Sequence, residues 1–502
     1  MGARPRTWIA IVAAVVLVCC VAGVAGVVGF LRWNEVDTRG DVEFVNRLAI
    51  PPLAPSHVDE QGRRVFDLHA APGRHDFGAG PVATWGFDGD YLGPTLRATR
   101  GEEVVVNVHN GLPEETTVHW HGMHLPASMD GGPHTPIAPG ATWSPQWRVD
   151  QPAATLWYHP HPHGRTAEHV YRGLAGLFLI DDPATSVDAL PHRYGVDDIP
   201  VVVQDRNFDG DRLDFAPSLV GMGILGRTIV VNGTLAPYQE VTTERVRLRL
   251  LNGSNSRVYQ FAFADHRSFA LVGTDGGLLA APVTTDRVLL SPGERAEIVV
   301  TVRPGERLVL RSDPPALGAP LGRLFGGADG FDVLELRAAS SLEPSPALPD
   351  RLVEVPALAV DAATPTRTVR LGDSTINNKQ MDMSRIDATL APGAVEVWRV
   401  RNDDGKPHNL HIHGVSFQVR RLDGTAPPAH LSGWKDTVYV APEREYELVV
   451  RFPTYADPMI PYMYHCHVLY HEDQGMMAQF LVLAPGQSAT PMPAHHRHHH
   501  HG

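Results

Sequence analysis

Three stretches of the chain end alike. RGEEVVVNVHN (Arg100–Asn110), TTERVRLRLLN (Thr242–Asn252) and PGAVEVWRVRN (Pro392–Asn402) each alternate apolar and polar residues and close on asparagine. A period of two marks a strand with one buried face. Asn110, Asn252 and Asn402 recur at a spacing of about 150 residues, the size of a domain. A chain repeating one strand motif at that period has little choice but to build one all-β unit three times. The repeat predicts units at about 51–185, 196–345 and 352–486, with 340–352 (SSLEPSPALPDRL) as an interdomain linker. Glycine (47) and proline (43) are plentiful but scattered, which suits short strands joined by turns.

Counting forward from each asparagine separates the copies chemically. Nine and eleven residues after Asn110 stand His119 and His121, in HWHG. The same offsets from Asn402 give His411 and His413, in HIHG; from Asn252 they give Phe261 and Phe263. The middle unit is thus expected to lack the chemistry of its neighbours. Two further pairs occur, His159/His161 (WYHPHPHG) and His465/His467. On a strand, residues two apart point the same way, so each pair offers two imidazoles to one site. Eight histidines from the first and third units can therefore converge between those units.

Cys466 sits between His465 and His467 and points the other way. It is one of three cysteines, and Cys19 and Cys20 lie in an apolar N-terminal run, so the folded body has no disulfide framework. Cys466 is followed by His471 and Met476, and His408, three residues before His411, offers a second imidazole from a neighbouring strand. Cysteine, two histidines and a weak methionine form the ligand signature of a blue-copper electron-transfer centre. Zinc is the rival for Cys and His ligands, but a thioether contributes little to zinc and eight paired imidazoles exceed any structural zinc site. His124, His134, His163, His169 and His430 lack such support and are read as ordinary loop residues. Asp436, in GWKDTV, either orients a ligand imidazole or makes a structural hydrogen bond.

The N-terminus, residues 1–31, places Arg4 and Arg6 before an uncharged run from Trp8 to Leu31. At about 1.5 Å per helical residue that run can cross a hydrocarbon core of about 30 Å. It is read as a membrane anchor with the body outside, the competing reading being a signal peptide cleaved near Gly23-Val24-Ala25. Residues 32–50 would be a spacer, and residues 487–502 a histidine-rich tail, either native or a tag. The net charge of −13, with no basic cluster in the body, argues against nucleic acid.

HWHG, WYHPHPHG, HNLHIHG and HCHVLYHEDQGMM together resemble the four copper-binding motifs of the multicopper oxidases, in their bacterial three-domain form. The resemblance implies three consecutive cupredoxin-like barrels and four copper ions. Cys466, His408 and His471 would hold type 1 copper with Met476 axial; His119 and His411 would hold type 2. The type 3 pair would divide into His121, His159 and His467 on one ion and His161, His413 and His465 on the other. Glu472 and Asp130 match the family's proton-relay positions. The implied reaction is one-electron oxidation of a donor coupled to reduction of O2 to water, in a monomer. Methionine is sparse near the type 1 motif (Met381, Met383) and Lys406 replaces a soft ligand. That favours phenols and aromatic amines in an open, laccase-like pocket at His408 or His471 over Cu(I). A copper-binding or envelope protein without turnover is the alternative of another class.

Overall fold

The computed structural model describes residues 35–490 apart from 79, 186–189 and 219. The expected anchor at 1–31 and residues 491–502 of the tail lie outside the described residues. No described helix is long and apolar enough to cross a membrane.

Each unit is a sandwich of two sheets. In all three, the strand ending in asparagine pairs in parallel with an earlier strand: Glu103–Asn110 with Arg64–Asp76, Arg245–Asn252 with Asp198–Arg206, and Val395–Asn402 with Thr366–Gly372. The opposite sheet holds a second parallel pair: Leu96–Thr99 with Gly176–Asp181, Pro237–Thr243 with Phe331–Glu343, and Ala388–Leu390 with Met477–Val482. The remaining pairings within these units are almost all antiparallel. This is the expected all-β architecture of three cupredoxin-like barrels. The alternation seen in the sequence supplies each core, with Val104, Val106 and Val108 in the first, Val246, Leu248 and Leu250 in the second, and Trp398 and Val400 in the third.

The asparagines recur because each locks the turn that follows its strand. The Asn402 Nδ2 amide donates to the carbonyls of Lys406 (2.8 Å) and Val440 (2.9 Å), and its Oδ1 accepts from Asp404 N–H (3.0 Å). Asn110 bonds Glu114, Ile137 and Leu112 in the same way, and Asn252 bonds Arg257, Leu290 and Ser254. Backbone groups at a buried strand end need partners, and one amide side chain supplies both kinds.

The lock also corrects the alignment by counting. In the first and third units it spans four residues, in the middle unit five. One extra residue in that turn shifts everything beyond it, and in a strand a shift of one exchanges the two faces. Tyr259 faces Leu290 as His408 faces Val440, so Ala262 and Ala264 occupy the places of His411 and His413. Phe261 and Phe263 instead turn into the middle core.

Residues 35–50 are not a free spacer. Asn46–Arg47 adds a parallel strand beside Pro237–Thr243, and Val36 and Leu48 are buried in the middle core. The 340–352 linker is also tied down: the strand Phe331–Glu343 runs into it, Arg245 Nη1 donates to Ser345 O (2.8 Å), and Leu348 and Leu352 pack against Val272 and Leu278.

Candidate metal centre

Strand pairing brings the four histidine pairs together. His119–His121 lies antiparallel to Ala154–His159, with His119 opposite His159. His408–Ile412 lies antiparallel to Tyr462–His465, with His411 opposite His465. Trp120, between its two histidines, turns into the first core, while the imidazoles face the junction between first and third units. All eight are fully buried. Two short helices, Thr166–Arg172 and Leu469–Asp473, pin the pairs across this junction: Asp473 accepts the Thr166 and Ala167 N–H groups at 2.9 and 3.0 Å.

The nitrogen atoms show what the cluster is built for. The Nδ1–H groups of His119, His159, His411 and His465 donate to the carbonyls of Asp130, Pro160, Asp436 and Cys466 at 2.8–3.1 Å. His413 Nδ1 donates to Asp130 Oδ2 at 2.7 Å. A neutral imidazole with its proton on Nδ1 keeps only a lone pair on Nε2. Burial pushes His161 down to about 3 against the pull of Glu472, and His411 down to about 4 against that of Asp436. Yet Nε2 meets Nε2 at 3.4 Å for His119 and His411, 3.1 Å for His413 and His465, 3.2 Å for His161 and His465, and 3.4 Å for His159 and His467. In the His119/His411 and His413/His465 contacts both rings carry their proton on Nδ1, so lone pair faces lone pair, and in a dry interior these repel unless cations lie among them. His121 alone reverses its ring, with Nδ1 3.4 Å from His159 Nε2, and Nε2 at 3.0 Å from both Asp436 Oδ1 and Thr437 Oγ1.

Cys466 faces a second site, as its alternation with His465 and His467 requires. Its Sγ lies 3.6 Å from His408 Nδ1 and 3.7 Å from His471 Nδ1, and these nitrogens are 3.1 Å apart. Here the outer nitrogens hold the protons: His408 Nε2 is 3.3 Å from Asp404 Oδ2, and His471 Nε2 donates to Gly221 O at 3.0 Å. Met476 is buried beside them, its O accepting from Cys466 N–H and its N–H donating to His471 O. Burial pushes the free thiol up to about 12, so a cation must displace its proton to bind sulfur.

Both relay candidates border the cluster. Glu472 Oε1 is 3.5 Å from His161 Nε2 and Oε2 is 3.2 Å from His465 Nδ1, with no hydrogen bond to either oxygen. Asp130 Oδ1 likewise lacks a partner while Oδ2 holds His413. Among the described residues the open pocket expected over the cysteine site is not seen: His408 and His471 are each 1% exposed, covered by Asp404 and by Gly221 of the middle unit. His169 is not a loop residue but lies buried on the helix Thr166–Arg172, bonded to Thr116 and Glu114. His124 bonds Ser416 and His134 bonds Gln479; His430 sits in the 3-10 turn Ala429–Leu431.

Three profiles described as multicopper oxidase match residues 71–185, 205–307 and 354–486. The chain belongs to the multicopper oxidases. It is 38% identical over 445 residues to the cell division protein FtsP of Sodalis glossinidius, covering 87% of this chain and 92% of that relative. It is 33% identical over 444 residues to the multicopper oxidase mco of Staphylococcus haemolyticus, at 87% and 92% coverage. Among solved structures, a laccase from Pediococcus acidilactici superposes with a TM-score of 0.81 at 35% identity, covering 89% of this chain and 95% of the other. A laccase-like multicopper oxidase, CueO, from Ochrobactrum sp. gives 0.79 at 36% identity, covering 87% and 100%.

The donor sets of this multicopper oxidase fit copper: convergent imidazoles in one site, and a thiol with two imidazoles in the other, next to the buried Met476. The repeats gave no hint of several supports. Asn409 Oδ1 accepts from His467 N–H (2.6 Å) and lies 3.5 Å from Cys466 Sγ, while its amide is held by Ser291 and Pro292 of the middle unit. Arg295, Asp275 and Lys435 form a buried charge network behind Asp436, which both orients His121 and pairs with Arg295. Burial alone would raise Asp436; Arg295 and then His121 hold it well below the usual carboxylate range.

Proposed function

We propose that this multicopper oxidase is an exported enzyme that oxidises phenolic and aromatic donors one electron at a time and reduces O2 to water. Cys466, His408, His471 and Met476 would hold type 1 copper, and His119 and His411 type 2. His121, His159 and His467 would hold one type 3 ion, and His161, His413 and His465 the other. Copper bound there would supply the electron storage that four-electron reduction of O2 requires. The observation that carries the reading is covalent: Cys466 touches His408 and His471 while its chain neighbours His465 and His467 face the other cluster. An electron entering at His408 or His471 therefore has a bonded path, through one cysteine and one peptide link, to the place where O2 is consumed. Each O2 takes up four protons with its four electrons, and the free carboxylate oxygens of Glu472 and Asp130 stand at the cluster wall to pass them.

The likeness to a protein named for cell division supports a reading of another class, a copper-binding or envelope structural protein without turnover. Cuprous ion is the alternative donor within the enzymatic reading, since the Asp404 carboxylate borders His408. Oxygen uptake by copper-loaded protein, with a methoxyphenol and with Cu(I) as separate donors, decides among the three. Uptake on the phenol supports the proposal; uptake on Cu(I) alone moves the donor class, and none on either sinks the enzyme.

A further inference from the structure

The middle unit supplies no histidine pair, yet one of its turns, residues 291–295 (Ser-Pro-Gly-Glu-Arg), reaches the centre. Arg295 opens the strand Arg295–Thr301 and is fully buried. All five guanidinium donors are taken. Nη1 and Nη2 grip Asp436 Oδ1 and Oδ2 at 2.7 and 2.6 Å. The other three donate to carbonyls: Nε to Thr155 (3.0 Å), Nη1 to Gly293 (3.0 Å) and Nη2 to Asp275 (2.9 Å). Thr155 lies on the strand that ends in His159, so this cation is fastened to a ligand-bearing strand as well as to the carboxylate.

A two-pronged grip from a fully bonded guanidinium leaves Asp436 one orientation. In that orientation Oδ1 accepts from His121 Nε2–H, and the backbone carbonyl of Asp436 accepts from His411 Nδ1–H. His121 is the one cluster ring that presents Nδ1 inward, and it needs its proton on Nε2 to do so. A charged carboxylate, unable to donate, selects that tautomer. Burying two opposite charges costs free energy that well-packed apolar residues would avoid, so interdomain adhesion alone does not account for the pair.

We infer that Arg295, from the unit without ligands, is a positioning residue for the cluster: by holding Asp436 it sets His121 with Nδ1 toward His159. This rests on the multicopper reading above. Lysine at this place keeps the charge but offers a point donor in place of the fork, and glutamine removes the charge.

The test loads wild type, Arg295→Lys and Arg295→Gln with copper. It compares copper content, the blue thiolate absorption, the electron paramagnetic resonance of the cluster, and unfolding of the copper-free proteins. The inference predicts that Arg295→Lys folds, keeps the blue absorption of the Cys466 site, and loses magnetic coupling or copper at the pair that includes His121. Arg295→Gln should do the same more severely; if it fails to fold, Arg295→Lys carries the test. Wild-type cluster signals in Arg295→Lys would overturn the inference, as would parallel loss of blue and cluster signals with a lower unfolding temperature. Wild-type protein with neither signal would overturn the multicopper reading itself.

Discussion

Asn402→Ala is the sharpest probe of how the repeat builds the site. The side chain is fully buried and makes three hydrogen bonds of 2.8–3.0 Å. At a net worth of about 1 kcal/mol each, their loss costs about 3 kcal/mol, and stranding the Val440 carbonyl between strands adds about 1 more. Asn252→Ala removes the same three kinds of bond in the middle unit and should cost about as much. The two variants should differ in function. The Asn402 turn contains Asp404, which touches His408, whereas the Asn252 turn leads to Ala262 and Ala264. Urea unfolding of the copper-free proteins, with the absorption spectrum after copper loading, reads both effects. A cost below about 1 kcal/mol, or a blue absorption that shifts in Asn252→Ala and not in Asn402→Ala, would refute the reasoning.

Two further outcomes follow from the buried groups. Burial pushes His161 and His471 down to about 3 and His411 to about 4, whereas the unfolded chain titrates near 6.5. Between those values the unfolded state binds protons that the native state refuses. Stability of the copper-free protein is therefore complete above about pH 6.5 and falls with acidification, by up to about 1.4 kcal/mol per pH unit for each histidine. Thermal unfolding that stays flat from about pH 7 to about pH 5 would contradict this. Glu472→Gln should slow oxygen uptake on the order of a hundredfold while leaving the blue absorption in place; unchanged uptake would remove Glu472 from proton delivery.

Much of this centre was readable before any coordinates. His-x-His spacing on strands determines direction, so four pairs and Cys466 could be sorted onto two faces by alternation alone. What alternation does not carry is turn length. The five-residue lock at Asn252 shifted the middle unit by one, and Phe261 and Phe263 went to its core, not to the histidine positions. Nor could spacing reveal contacts between units. Arg295 and Gly221, both of the middle unit, act on Asp436 and His471 far away in the chain, and nothing in their local sequence marks them. The covering of His408 and His471 was hidden for the same reason, since Gly221 comes from a loop of the ligand-free unit. Residues 35–50 read as a spacer because they are short and irregular; only their docking on Pro237–Thr243 gives them a place.

The central claim is that Cys466 joins a single copper to a cluster of three. Metal analysis and optical spectroscopy of copper-loaded protein ending at residue 490, so that the tail histidines do not contribute, test it most directly. Wild type should bind four copper ions per chain and be blue, and Cys466→Ser should lose the colour and one ion while the histidine cluster stays filled. A colourless, copper-free wild type, or a Cys466→Ser protein that stays blue, would contradict the account.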